Sequence, residues 1–134
     1  MRFEELIKEA EIRATVRKKE YSMAKMRSAP PMGPEIFAVI ADGREISVVA
    51  EADHELDVVE EERPLRVITF EMYMPAGLVG FLAHMTGLMA DNDIPLLAIS
   101  TFSTDHILVK DMFVERAVQV LSNANVRVEQ EQNR

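Results

Sequence analysis

The sequence has 134 residues, of which 48% are hydrophobic and 28% are charged, and its formal net charge is −8. This balance is typical of a globular protein with its own core, at a length that suits one compact domain or two very small subdomains. The lack of cysteine excludes disulfides, thiolate metal sites and cysteine nucleophiles, and the acidic balance argues against a general nucleic-acid binder.

Neither membrane insertion nor export is predicted. No apolar run reaches the roughly 18 to 20 residues that a membrane span needs, and residues 1–5 are acidic and lack the apolar core of a signal peptide. We therefore expect a soluble, cytoplasmic protein with no membrane or nucleic-acid partner. A basic stretch at residues 13–25 is interpreted as the solvated edge of a strand or turn.

The N-terminal segment predicts one short helix and two strands. Apolar residues at helical spacing within residues 1–10 predict a short amphipathic helix. Residues 12–18 alternate between apolar and polar side chains, which is typical of a half-buried strand. A second extended stretch begins at Tyr21, so we place a hairpin tip at Lys19 and Glu20.

The clearest local prediction of the first half is another hairpin. After a proline-rich break, apolar runs at residues 36–40 and 45–49 flank the turn signal Asp42-Gly43. The acidic residues 53–62 that follow are interpreted as a linker between two halves, with a short helical turn inside it as an alternative.

The second half predicts the order strand, helix, strand, strand, helix, strand. The signals are a strand at 65–73, a helix from 77 to a polar stop at 91–93, a buried strand at 94–99, a strand at 106–109, a helix capped by Asp111, and a strand through Val126 and Val128. The first helix is expected to turn its apolar residues inward, namely Leu78, Phe81, Leu82, Met85, Leu88 and Met89. This order predicts an α+β, ferredoxin-like fold, with two helices on one face of an antiparallel four-stranded sheet. The polar tail at 129–134 is expected to fray.

One segment carries a family resemblance. Residues 94–110, IPLLAISTFSTDHILVK, resemble the "IPxxAISTxxTDxxLV" pattern of a group of two-ACT-domain proteins. That group is related to the arginine sensors of nutrient signalling and to the regulatory end of aspartokinases. Residues 45–49 match the group's "ElSvV", and residues 75–80 stand in the strand-to-helix loop where the group carries its glycine. His106 departs from the pattern, because the group usually has an aromatic or aliphatic residue there.

The resemblance covers the chain from about residue 20 and is strongest over residues 65–128. It implies that residues 63–134 form an ACT domain of βαββαβ order. Residues 1–62 would then be a degenerate, strand-rich ACT-like subdomain with an N-terminal segment and the acidic linker. In this group the two units pair their sheets into one continuous sheet of about eight strands.

The resemblance also implies a binding site for a small molecule, usually an amino acid, where two units meet. A glycine such as Gly77 lets a carboxylate approach the backbone before a helix, and Asp105 suits an ammonium or guanidinium group. The alternative is that these residues only form turns, which is the commonest use of Ser, Thr and Asp in such runs. The candidate ligand-binding residues are Ser47, Val48, Gly77, Leu78, Ser100, Thr101, Phe102, Ser103, Thr104 and Asp105.

Other chemistry is not indicated. His54, His84 and His106 have no spacing that suggests a shared metal ion, and no catalytic set or phosphate-binding loop is visible. No cofactor is expected. The nine methionines are interpreted as adaptable core residues, with a methionine-lined groove for a protein partner as the alternative.

These observations favour a non-catalytic regulatory or sensor protein that binds a small molecule, with an amino acid as the expected ligand. The alternative is an assembly module that keeps the ACT fold without a ligand and joins chains into a homodimer or another homo-oligomer, or binds a protein partner. A third, weaker reading is a small enzyme that uses His84 or His106 as a base.

Overall fold

A computed structural model describes residues 2–6, 11–71 and 78–132 of the chain. In chain order its elements are α1 (Phe3–Leu6), β1 (Ile12–Val16), β2 (Tyr21–Met26), β3 (Ile36–Ala41), β4 (Ile46–Glu51), β5 (Val58–Phe70), α2 (Phe81–Asp91), β6 (Leu97–Ser100), β7 (Asp105–Lys110), a 3₁₀ turn (Asp111–Phe113), α3 (Val114–Asn123) and β8 (Val126–Gln130).

The long strand β5 organises a single eight-stranded sheet. One edge of β5 pairs with β7, and the other edge pairs with β2 over the first part of β5 and with β1 over its last part. Beyond these, β2 pairs with β4 and β4 with β3, while β1 pairs with β8 and β7 with β6. The continuous sheet expected from the resemblance is therefore present.

The predicted hairpin between β1 and β2 is wrong. Both strands run antiparallel to β5 along the same edge, with Val16 opposite Ile68 and Tyr21 opposite Leu65. The four residues between the two strands lie opposite only two residues of β5, so Lys19 lies in a local bulge rather than at a hairpin tip. Alternating polarity shows that a strand is half-buried, but it does not show which strand it pairs with.

The hairpin of β3 and β4 is confirmed, because its turn is encoded locally. The Asp42 carboxylate accepts hydrogen bonds from the backbone N–H of Arg44 at 2.8 Å and of Glu45 at 2.9 Å. Gly43 adopts φ +87°, a left-handed conformation that an L side chain disfavours. The two strands then pair in register from Ala41 opposite Ile46.

Part of the predicted acidic linker is strand. Residues 58–62 belong to β5, where Glu60 lies opposite Lys25 and Glu61 opposite Ala24. The acidic run therefore alternates across a sheet, and neither a linker nor a helical turn forms there. The expected boundary between residues 62 and 63 falls inside this strand, and the division of the chain into two units stays a prediction.

The second half has the predicted order of strands and helices, but not the predicted four-stranded sheet. The last strand, β8, pairs in parallel with β1, from Ile12 opposite Val126 to Val16 opposite Gln130. Strand β1 is thus inserted between β5 and β8. The alternate residues Ile12, Ala14 and Val16 point into the same core as the helices, which makes β1 an integral part of this half.

Two finer expectations for the second half are wrong. Within residues 2–6, 11–71 and 78–132, strand β6 pairs only with β7, so it lies at an edge of the described sheet, and Leu97 is 41% exposed rather than buried. Leu82 is 36% exposed, although Phe81, Met85 and Met89 on the same helix are buried as predicted. Runs of apolar residues indicate a strand or helix but not how many neighbours cover it.

The beginning and end of α3 also differ from expectation. Asp111 does not cap a helix with its side chain, because its carboxylate accepts from Arg66 at 3.3 Å instead. The tail is ordered further than predicted: β8 continues to Gln130, and the backbone N–H of Glu131 donates to Val16 at 2.9 Å. Residues 133 and 134 lie outside the described residues.

The face of the sheet away from the helices is covered by the first half. Four strand spacings of about 4.8 Å, or roughly 19 Å in a flat sheet, separate β3 from β7. Yet the rings of Phe37 on β3 and His106 on β7 are only 5.1 Å apart. The sheet therefore curls over itself and encloses a second apolar cluster that includes Tyr21, Val67 and Leu108.

Candidate functional site

Six of the ten predicted ligand-binding residues line one cavity. It encloses about 280 Å³ between the start of α2 and the turn that joins β6 to β7, and we call it the β6–β7 cavity. The predicted residues in its wall are Leu78, Thr101, Phe102, Ser103, Thr104 and Asp105. The other four lie at the start of the helix: Gly80, Phe81, Leu82 and Ala83. Gly80 ends the loop that was expected to offer backbone donors, and the sequence reasoning missed the last three.

The β6–β7 turn is held by its own polar groups. The backbone N–H of Thr101 donates to the carbonyl of Thr104 at 2.8 Å, and the Thr101 hydroxyl donates to the same carbonyl at 3.2 Å. Ser100 Oγ donates to Asp105 Oδ1 at 2.5 Å. The interpretation of these residues as turn formers is therefore correct for Ser100 and Thr101, and Ser100 does not line the cavity.

Asp105 keeps binding capacity beyond the turn. Its Oδ2 accepts no hydrogen bond from the described residues, and Ser100 fixes the orientation of the carboxylate through Oδ1. The side chain is half-buried, so an ion pair formed there would be screened less than one on the open surface. The carboxylate is consequently an oriented acceptor for a cationic group.

The start of α2 supplies the opposite polarity. Gly80 precedes the helix with φ +100°, no side chain in the described part of the chain caps the first turn, and that turn contains no acidic residue. The first N–H groups of a helix have no partner within it, and the helix dipole favours negative charge there. Because Gly80, Leu82 and Ala83 line the cavity, this uncapped end lies across from Asp105.

Ser47 and Val48 are not brought to this cavity. Both lie on β4, where Ser47 pairs with Lys25 and with Ile40, and the Val48 side chain is fully buried. Neither appears in the cavity wall, so this chain by itself does not form the contact that the resemblance implies. Gly77 lies outside the described residues.

A buried polar cluster lies on the opposite face of the sheet at the same level. His106 Nδ1 is 2.9 Å from the Thr69 hydroxyl, which also accepts from Arg17 Nε at 3.2 Å. Burial, and next the positive charge of Arg17, lower the pKa of His106 below its usual 6.5. The guanidinium of Arg17 also stacks on Phe37, at 5.0 Å from the ring centre.

A larger groove of about 730 Å³ is a poorer candidate. All of its lining residues are polar or charged, with Lys18 and Lys19 facing Glu71, Glu129 and Glu131. Small-molecule sites combine apolar side chains with a few directed polar groups, and the β6–β7 cavity offers both, with Leu78, Leu82 and Phe102 beside Asp105. The described residues contain no group of three side chains placed to hold a metal ion. Among them, no helix is long and apolar enough to cross a membrane.

Comparison with known proteins gives one family match and several structural matches. Residues 60–123 match the family model of the ACT domain. No curated protein matches the sequence. The match to this family lies over β5 to α3, which is the part of the chain that forms the β6–β7 cavity.

Three solved structures share the fold over most of their length. A protein from Agobacterium tumefaciens is 21% identical with a TM-score of 0.79, and the match covers 92% of this chain and 96% of that one. A Vibrio cholerae protein of unknown function is 21% identical with a TM-score of 0.72, covering 84% and 88%. A putative C-terminal regulatory domain of aspartate kinase from Porphyromonas gingivalis W83 is 14% identical with a TM-score of 0.59, covering 85% and 96%. At these identities the likeness shows the fold.

Proposed function

On the premise that this chain is an ACT-domain protein with the fold of the two-ACT group, as the sequence resemblance predicted, we propose that it is a non-catalytic sensor of an amino acid. The ACT-domain match and the aspartate kinase regulatory domains among its structural neighbours support a ligand-binding regulatory role. The identity of the ligand, the site residues, the lack of catalysis and the cytoplasmic location belong to the proposal.

The observation that carries the proposal is the pairing of opposite polarities across the β6–β7 cavity. The uncapped start of α2 suits a carboxylate, and the oriented Asp105 suits an ammonium group. Leu78, Leu82 and Phe102 provide apolar surface between and beside them. A zwitterion with an aliphatic or aromatic side chain satisfies all three features, whereas a simple anion or cation satisfies fewer.

The regulatory output is proposed to pass through β7. Asp105 lines the cavity on the helix side, and the next residue, His106, contacts Phe37 of the first half on the other side. A ligand held by Asp105 would restrain the start of β7 and with it the packing of the two halves. A ligand shifts the equilibrium between two conformations only if it binds one of them more tightly. The geometry of Asp105 must therefore differ between the two packings of the halves.

The test is a thermal-shift screen of the full chain against the twenty amino acids at millimolar concentration. One selective ligand, present at 100 times its dissociation constant, should stabilise the fold by about 2.7 kcal/mol. The variant Asp105→Asn keeps the shape of the side chain and should abolish the shift. Asp53→Asn, at an exposed position outside the cavity, is the matched control and should keep it.

A flat screen, with a tightly bound ligand excluded by native mass spectrometry, would contradict the sensor proposal. A ligand whose effect survives Asp105→Asn would retain the sensor function but reject this site. Loss of the shift in Asp53→Asn as well would show that the effect of Asp105→Asn is not specific to the site.

The assembly module remains the second candidate, and one observation favours it. One edge of strand β6 pairs with none of the described strands, and beside it Leu97 is 41% exposed and Phe102 is fully exposed. Exposed apolar residues next to a free strand edge are typical of a surface that pairs with another chain. Light scattering across a range of protein concentrations distinguishes the candidates, because a pure assembly module changes mass with concentration but responds to no amino acid.

A further inference from the structure

A second cavity lies where four segments of the chain meet. It encloses about 290 Å³ and shares no lining residue with the β6–β7 cavity. Its wall is formed by the ends of β1 and β8, the middle of β5 and the first two turns of α3. The lining residues are Val16, Arg66, Val114, Glu115, Val118 and Gln130. We call it the valine cavity.

The wall combines an apolar surface with one cation and one anion. Val16 is 1% exposed, and Val114 and Val118 pack against the same core. The charged residues are Arg66 and Glu115. Three of the six lining residues are valines, and small-molecule sites combine such apolar contacts with a few directed polar groups. The volume is at the lower end for such sites, which suits a small metabolite.

Arg66 has hydrogen-bonding capacity that its neighbours do not use. Its Nη2 donates to the carbonyl of Arg17 at 2.9 Å, but its contact with Asp111 is 3.3 Å, long for a charge-assisted hydrogen bond. Its buried Nε–H has no acceptor among the described residues. Leaving a buried donor without an acceptor is unfavourable. A ligand carboxylate that draws the Arg66 guanidinium away from Asp111 would give this Nε–H the acceptor that it lacks.

Glu115 lies on the other side of the cavity and has no charged partner among the described residues. It is exposed on the first turn of α3, and its carboxylate forms no ion pair or side-chain hydrogen bond with the described residues. In particular, it does not pair with Arg66, although both line the same small space. The cavity therefore presents two opposite charges that do not neutralise each other.

We propose that the valine cavity is a second binding site, specific for a small zwitterion with a short branched aliphatic chain. Arg66 binds the carboxylate, Glu115 binds the ammonium group, and the three valines contact the aliphatic chain. This site is separate from the β6–β7 cavity, so its occupancy does not depend on Asp105.

The test is a ¹H–¹⁵N NMR titration of the full-length protein with L-leucine and with two relatives that have the same aliphatic group. The first relative, 4-methylpentanoate, lacks the ammonium group, and the second, 3-methylbutylamine, lacks the carboxylate. L-Leucine should shift the amide signals of Val16, Arg66 and Val118, and each relative should bind at least about tenfold more weakly because it loses one charge-assisted contact.

Two conservative variants test the assigned roles. Arg66→Lys keeps the positive charge but removes the planar fork, and Glu115→Gln keeps the shape but removes the charge. Each should weaken L-leucine binding at the valine cavity by about tenfold or more. Glu55→Gln, at an exposed position outside both cavities, is the matched control. Asp105→Asn should leave the shifts at the valine cavity unchanged.

Shifts confined to residues 101–105 would overturn the second site while supporting the β6–β7 cavity. The proposal is also overturned if L-leucine shifts none of Val16, Arg66 and Val118, or if both variants bind as the wild type does. Should Arg66→Lys lose the dispersed spectrum of a folded chain, Glu115→Gln decides, because Glu115 is exposed and supports no other described side chain.

Discussion

At the scale of single residues, His106 is the titratable group whose surroundings most oppose its charged form. Burial is the main cause of its lowered pKa, the charge of Arg17 adds to it, and the more distant Asp105 and Glu71 offset it in part. The contacts agree with a neutral ring, since Thr69 occupies Nδ1 and the edge-to-face ring of Phe37 covers one side. Protonation would place the positive charges of His106 and Arg17 on opposite sides of the Thr69 hydroxyl.

The free energy of unfolding should therefore fall as the pH falls below about 6.5. The unfolded histidine binds a proton near pH 6.5, but the folded one binds it only at lower pH. Between the folded and unfolded pKa values of His106 the unfolded state binds more protons, so lowering the pH favours unfolding. The stability that comes from burying the neutral ring is fully present above pH 6.5. Urea unfolding at pH 7.5 and pH 5.5 measures the difference, and His106→Gln should reduce it whereas His84→Gln, on an exposed residue, should not. An unchanged pH dependence in His106→Gln would contradict this account.

A glycine at the start of α2 makes a second prediction at this scale. Gly80 has φ +100°, so Gly80→Ala should lower the free energy of unfolding by about 1–2 kcal/mol through backbone strain. Gly87 is the matched control: it lies inside the same helix, and a Cβ there would meet nothing within 4 Å. Gly87→Ala should instead stabilise the protein by about 0.5–1 kcal/mol. Thermal and urea unfolding of both variants would check the opposite signs, and equal effects would reject the explanation.

At the scale of elements, one cluster explains why an acidic run is tolerated in a strand. Glu61 Oε2 accepts from the buried Ser22 hydroxyl at 2.7 Å and lies 3.0 Å from His54 Nε2, while Oε1 lies 3.2 Å from Arg63. These partners, with Ser22 first, lower the pKa of Glu61 below its usual 4.5. The carboxylate thus joins β2, β5 and the segment after β4. Its contribution to the free energy of unfolding is present above about pH 4.5 and is lost as the pH falls from there through the lowered pKa of the folded state.

Removing the Ser22 hydroxyl should weaken this junction. Ser22 is fully buried, so Ser22→Ala leaves the partly buried Glu61 without its main donor and should lower the free energy of unfolding by about 1–3 kcal/mol. The variant should also raise the pKa of Glu61, which carbon-detected NMR of the carboxyl group would follow. Ser28→Ala, on an exposed residue between strands, should change neither quantity, and a wild-type pKa in Ser22→Ala would contradict the assignment.

The elements that the sequence predicted well are those defined by nearby residues. The turn between β3 and β4 is specified by Asp42 and Gly43 themselves, and the end of α2 at Asp91 follows from a local change of composition, although the helix begins at Phe81 and not at residue 77. The errors concern pairing between distant strands. The polarity of β1 is equally compatible with a hairpin and with insertion between β5 and β8, and the apolar run before the β6–β7 turn does not reveal that Leu97 lies at an edge.

The candidate site was predictable to a similar extent. The pattern of residues 100–105 located the turn, and the helix that follows β5 was expected to begin nearby, so the cavity between them was within reach of the sequence. Its exposed Phe102 was included among the candidates and Gly80 ended the loop expected to offer backbone donors. The apolar residues after Gly80 were not included, because only the three-dimensional start of α2 turns them toward Asp105. Ser47 and Val48 came from the resemblance alone.

At the scale of the whole molecule, the inserted strand makes the two halves interdependent. Residues 63–134 without β1 would leave one edge of the last part of β5 unpaired and β8 without its strand partner, and would open the core that Ile12, Ala14 and Val16 fill. We therefore expect this fragment to lack a cooperative unfolding transition by circular dichroism, while the full chain shows one. A fragment that unfolds cooperatively with a dispersed NMR spectrum would show instead that the predicted ACT domain is an autonomous unit.

The parallel pairing of β1 with β8 also bears on how the protein acquires its structure during translation. Ile12 and Val126 are partners, so this ladder closes only after every intervening element has left the ribosome, and contacts this distant in sequence form slowly. Until then β1 has one free edge and its apolar residues lack part of their cover. We expect the nascent chain to be most vulnerable to aggregation in this interval, and a chaperone that binds short apolar strands would act there before the last strand is synthesised.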